Sequence, residues 1–187
     1  FAQVTLPSGY TVQIGGQFEN QLRAQKRLAL VIPVALLAVA TLLYITFHST
    51  KQAALVLINI PLAVVGGVVA LCISGQYISV PASVGFITLF GVAVLNAVVM
   101  VERINYHVAA GMPMDEAINA GATTRLRPVL MTALTSALGL IPMLLANGVG
   151  SEIQRPLATV VVGGLMSSTL LTLVVIPTLY ASFTTKR

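Results

Sequence analysis

Four long stretches of this sequence carry no charge, and that limits what it can fold into more than any other feature. No Asp, Glu, Lys or Arg lies between Arg27 and Lys51, Lys51 and Glu102, Arg127 and Glu152, or Arg155 and Lys186. Charged residues make up 8% of the 187 positions, against about 25% in a soluble domain. A soluble helix or strand needs a polar face, and stretches this long without one read as membrane spans.

A helix needs about 20 apolar residues to cross a bilayer. Five segments meet that length: 28–47 with Pro33; 53–73 with Asn59, Pro61 and Gly66–Gly67; 80–101 with Asn96; 128–146 with Thr132, Thr135 and Pro142; and 157–183 with Gly163–Gly164 and Pro177. Barrel strands would be shorter and would alternate in polarity, which these do not. The expected fold is therefore an all-α membrane protein, a bundle of five transmembrane helices. Prolines are tolerated inside such spans because neighbouring helices satisfy the freed carbonyls.

The flanks add detail. "FAQVTLPSGYTVQIGGQFENQ" is polar, with Pro-Ser-Gly and Gly-Gly turn signals, and "YTVQI" alternates like a short strand. With Phe1 in place of a methionine, residues 1–22 read as the end of a water-exposed domain of a longer chain, and 23–187 as the membrane domain. A charged lead-in helix is expected from Phe18 to Arg27, with Glu19 and Arg23 at pairing distance, i and i+4. Five spans leave the two ends on opposite sides. One side holds Arg23, Lys26, Arg27 and Arg155, four basic residues, and the other holds Lys51, Arg103, Arg125, Arg127, Lys186 and Arg187, six. The positive-inside rule puts the second side in the cytoplasm and the polar N-terminal remnant in the periplasm. In the loop 102–127, Pro113 and "MDEAINAGATTRLR" predict one amphipathic helix along the cytoplasmic surface. Asp115 and Glu116 suit its start, while Arg125, Arg127 and Pro128 anchor and begin the fourth span.

Few side chains could carry chemistry. In "GVAVLNAVVMVERINYH" an amide, Asn96, interrupts an apolar run. It must face the bundle interior, either as a packing hydrogen bond or as part of a polar relay. An amide cannot titrate; it can only orient a group that does. No span holds an ionisable residue at mid-depth. Thr132, like other span hydroxyls, is expected to bond back to its own helix. Cys72, the single cysteine, reads as a small buried hydrophobe and rules out an internal disulfide. The six methionines are scattered and read as flexible packing. The basic residues flank spans instead of forming a patch, so nucleic acid is not an expected partner. Hydrolase, phosphate-loop and zinc-protease motifs are missing. "PLAVVGG" at Pro61 and "PLATVVVGG" at Pro156 echo one another, and their glycines suit close backbone approach.

"GGQFENQ", "IPLAVVGG", "SVPASVGFITLFGVAVLNAVVMVERI", "AGATTRLRPVLMTALTSALGLIPMLLANGVGSEIQRPLATVVVGGL" and "LTLVVIPTLY" together resemble the C-terminal membrane half of a resistance-nodulation-division efflux pump. Within that superfamily they look like the heavy-metal branch, the cobalt–zinc–cadmium type. The resemblance implies a secondary transporter and not an enzyme: a homotrimeric, twelve-span pump of the bacterial inner membrane. Such a pump exchanges protons for metal ions without a cofactor, and works with a periplasmic adaptor and an outer-membrane channel. This chain would supply spans eight to twelve. The family's relay joins acids of the fourth span to polar groups of the tenth and eleventh, which here gives Asn96 and Thr132 supporting places. Copper and silver exporters usually carry Glu and Lys where this chain has Leu95 and Val129, so the resemblance favours divalent metals. It implies no metal ligand within these residues. The alternatives are a permease subunit of an ATP-driven transporter, on the strength of "DEAINAG", or a non-transporting membrane scaffold.

Overall fold

A computed structural model describes residues 17–184, with side chains placed from Glu19 to Ala181. It contains five helices: α1 Gln17–Phe47, α2 Thr50–Ile73, α3 Val80–Ala109, α4 Met114–Leu145 and α5 Ser151–Thr184. All five are long and apolar enough to cross a membrane. The strand expected at 10–14, and the start of the polar segment around it, lie outside the described residues.

Local chemistry sets the helix ends. His48 ends α1 in the left-handed region, at φ 50°, with its amide on the Tyr44 carbonyl at 2.9 Å. The Ser79 hydroxyl caps α3 by accepting from the Ala82 amide at 3.3 Å, and Pro81 occupies the first turn, where its missing N–H is harmless. Pro113 precedes α4, whose first turn holds Asp115 and Glu116, the acidic residues a helix N-terminus favours.

The helices run further than hydropathy alone suggests. The lead-in helix is continuous with the first span, so residues 17–22 belong to α1. The surface helix expected before Pro128 is likewise not separate. α4 runs unbroken from Met114 through Pro128 and Pro142. Pro128 removes one amide donor, but a single lost bond inside a 32-residue helix does not end it. Arg125, Arg127 and Pro128 therefore lie within α4 and do not begin it.

α5 is the centre of the bundle. It packs against α2, α3 and α4, whereas α1 touches α2 and α3 alone. Half of the α5 span is buried, against 6% for α1 and 6% for α4. The paired glycines explain the tight α2–α5 contact. A Cβ on Gly66 would collide with Ser167 and stand 3.0 Å from the Gly163 carbonyl, and one on Gly163 would collide with Ala70. The echo in the sequence is thus two helices meeting glycine to glycine. α3 and α4 meet as closely, where a Cβ on Gly121 would sit 2.7 Å from Ile104 Cγ1. Cys72, expected to be buried, is exposed. Leu71 beside it takes the inward position of that turn, and the next residue is rotated about 100° away.

Two apolar clusters fill the interior. One, toward the Arg155 end, includes Ala63, Leu71, Leu89, Val160 and Leu165. The other, toward the Lys51 end, includes Val56, Met100, Ile104, Ile176 and Tyr180.

Candidate functional site

A polar knot sits where the two clusters meet. Asn59 lies on α2 between buried Val56 and Ala63 and is 2% exposed. Its Nδ2 donates to Thr172 Oγ1 of α5 at 2.8 Å and to the Ala93 carbonyl of α3 at 3.1 Å. One amide thus ties three helices. Thr172, Thr169 and Ser168 extend the buried polar strip along α5. Asn59 Oδ1 and Thr169 Oγ1 are buried without a partner among the described residues. Both can still take a hydrogen bond, which matters where water is excluded.

A second knot lies toward the Lys51 end. The amides of Gln52 and Asn105 exchange two hydrogen bonds, each 3.0 Å. The Tyr180 hydroxyl donates to Asn105 Oδ1 at 2.6 Å. This knot joins the same three helices, α2, α3 and α5.

The residues expected from the sequence fall around these knots. Asn96 is half-buried, and its side chain makes no hydrogen bond among the described residues. It flanks the buried stripe of Leu89, Ala93, Ala97 and Met100 and lies one turn from Ala93, whose carbonyl Asn59 holds. It therefore borders the interior and does not occupy it. Thr132 is exposed and donates back to the Pro128 carbonyl at 2.9 Å, as expected of a span hydroxyl. Asn96 and Thr132 are not bonded to each other. Glu19 and Arg23 form the expected ion pair on α1. Arg127 and Pro128 are exposed, while Arg125 is half-buried in the line of inward residues Ile118, Gly121 and Val129.

Asn59, Gln52, Asn105, Tyr180 and Thr172 were not singled out from the sequence. Asn59 carried the signal that drew attention to Asn96, an amide inside an apolar run. Among the described residues no group of three or more His, Cys, Asp or Glu could hold a metal ion. The arrangement can orient and accept hydrogen bonds across three helices, but none of the groups in either knot is an acid or base at neutral pH.

The sequence profile of the AcrB/AcrD/AcrF family matches residues 1–184. The chain is 52% identical to the cobalt-zinc-cadmium resistance protein CzcA of Cupriavidus metallidurans, over 96% of its own length and 17% of the relative. It is 48% identical to the nickel and cobalt resistance protein CnrA of the same organism, over 95% of its length and 16% of the relative. A crystal structure of a heavy metal efflux pump superposes with a TM-score of 0.83 at 51% identity, covering 97% of this chain and 18% of that one. The chain thus spans less than a fifth of the length of these relatives.

Proposed function

This chain belongs to the AcrB/AcrD/AcrF family of resistance-nodulation-division transporters, and from that premise we propose that it forms part of a proton-driven exporter of divalent heavy-metal cations. The observation that carries the reading is identity near 50% with cobalt, zinc, cadmium and nickel resistance proteins across almost the whole chain. Leu95 and Val129 stand where, by the family resemblance, copper and silver exporters usually carry Glu and Lys; neither can titrate, which favours divalent metals.

The proposed mechanism follows from what these residues can do. The proton is taken up by an acid elsewhere in the longer protein, since neither polar knot contains one. Asn96, at the edge of the α3 interior face and with a free amide, orients that acid. Asn59 holds α2, α3 and α5 together, so a change at α3 moves the three as a unit. α1 is sparsely packed and carries the motion toward the periplasmic domain through the Glu19–Arg23 end. Thr132, bonded to its own helix, supports the α4 backbone beside Pro128. The working assembly is an inner-membrane homotrimer with a periplasmic adaptor and an outer-membrane channel.

The test is metal resistance of a sensitive host expressing the full-length protein. Asn96→Leu is expected to lower resistance to zinc, cobalt or cadmium at unchanged protein level. Equal resistance at equal level would remove Asn96 from the relay. Loss of resistance on deleting a separate ATPase would favour the permease reading instead.

A further inference from the structure

Three buried side-chain nitrogens on the facing stretches of α3 and α4 have no hydrogen-bond partner among the described residues: Arg103 Nε, His107 Nε2 and Arg125 Nε. We propose that Arg103, His107 and Arg125 form a binding site for the phosphate of an anionic phospholipid in the leaflet at the Lys51 end.

The helical geometry brings the three groups together. Arg103 and His107 are i and i+4 on α3, so they stand one above the other on one face. α4 crosses α3 where Gly121 meets Ile104, with a Cβ there only 3.3 Å from the Ile104 backbone. Arg125 follows Gly121 by one turn on the same face of α4, about 6 Å along the axis. The two helices are antiparallel, and side chains lean toward the N-terminus of their own helix. Arg125 therefore leans back toward the α3–α4 turn, and Arg103 and His107 lean up toward Arg125.

The chemistry selects an anion. Among the described residues the one ion pair is Glu19–Arg23, on a different helix at the other end. Glu102, Asp115 and Glu116 are exposed and pair with none of the three. The Nε atoms of half-buried Arg103 and Arg125 are shielded without an acceptor among the described residues, and phosphate oxygens match the donor fork of a guanidinium.

The depth selects a lipid. The site lies at the end of a span, where a headgroup sits. Tyr106 is 62% exposed there. The Arg103 guanidinium lies 5.1 Å from the centre of its ring, and the His107 ring meets it edge-on at 5.7 Å. An exposed tyrosine packed against an arginine and a histidine suits a membrane interface, where one end of the ring is apolar and the other wet.

The experiment is lipid retention by the full-length protein, purified in detergent and exposed to phosphatidylglycerol or phosphatidylcholine, with bound lipid counted by native mass spectrometry. The expected result is preferential retention of phosphatidylglycerol, weakened at least tenfold by Arg103→Gln with Arg125→Gln. Arg103→Lys with Arg125→Lys should retain part of it, and Lys51→Gln all of it. Millimolar inorganic phosphate should not displace the lipid. If the Gln variant keeps its lipid, the donors are satisfied by another part of the protein and the proposal fails. It fails equally if phosphatidylcholine binds as well, or if inorganic phosphate displaces the lipid, which would make the site one for a small anion. A variant that unfolds is replaced by His107→Gln, for which unchanged preference would also overturn the proposal.

Discussion

Replacing Asn59 by leucine keeps the side chain near its original size and removes its two interhelical hydrogen bonds, of 2.8 and 3.1 Å. Hydrogen bonds between helices in a membrane average about 0.6 kcal/mol and reach about 1.7. Two such bonds set the scale at 1–3 kcal/mol, on the order of the double-mutant values. Part of this is returned. Thr172 can bond back to its own helix, and the unpartnered Asn59 Oδ1 disappears with the substitution. The net loss expected is about 1 kcal/mol. It should be read as reversible unfolding in mixed micelles, with a double-mutant cycle against Thr172→Val. The cycle isolates the pair and should give a coupling of about 0.5–1.5 kcal/mol. A coupling indistinguishable from zero, or a leucine variant more stable than the parent, would refute the claim that this amide ties α2 to α5. Asn96→Leu is the complementary case. It breaks no bond among the described residues, so stability should shift by less than about 0.5 kcal/mol while metal resistance falls.

Other substitutions test the packing and the topology. Gly163→Ala puts a methyl group into Ala70 and should destabilise by about 1–3 kcal/mol. Gly139→Ala meets nothing within 4 Å and should be neutral or stabilising by up to about 1 kcal/mol; thermal unfolding of the pair side by side decides the point. Tyr180→Phe removes a donor to Asn105 and should lower stability by about 1 kcal/mol, leaving the amide exchange between Gln52 and Asn105. Exposed Cys72, one residue before the end of α2 at the Arg155 end, should react with a membrane-impermeant maleimide added from the periplasm. Labelling from the cytoplasm alone would reverse the orientation drawn from the basic residues.

The architecture was legible because charge is scarce. Four uncharged gaps and their lengths locate five helices, since only helices and closed barrels satisfy a backbone in hydrocarbon and the segments lack the alternation of barrel strands. Helix ends were less legible. The amphipathic stretches before Leu28 and before Pro128 have the composition of surface helices, and sequence alone does not show that they continue into the spans. The order of packing was hidden as well. The Pro-Leu-Ala echo announced close glycines without saying that Gly66 and Gly163 face each other. Among polar residues, Asn96 and Asn59 sent the same signal from similar settings. Which of them is buried depends on the rotation of each helix, and that is fixed by neighbours such as Gly85 against Leu157 and Gly164 against Leu89. Cys72 illustrates the same limit, since one residue of rotation separates an inward from an outward position.

The central place of α5 bears on how the protein is made. Asn59 and its partner Thr172 are 113 residues apart in the chain. At about 5–20 residues per second, ribosomes leave roughly 6–23 s between the two. During that interval α2, joined by α3 and then α4 as they emerge, stands in the bilayer with glycine faces uncovered and an amide lacking its main acceptor. The nascent bundle is therefore vulnerable to membrane proteases and dependent on the insertion machinery until α5 arrives. A message cut short before α5 should yield a chain that is cleared, not one that accumulates.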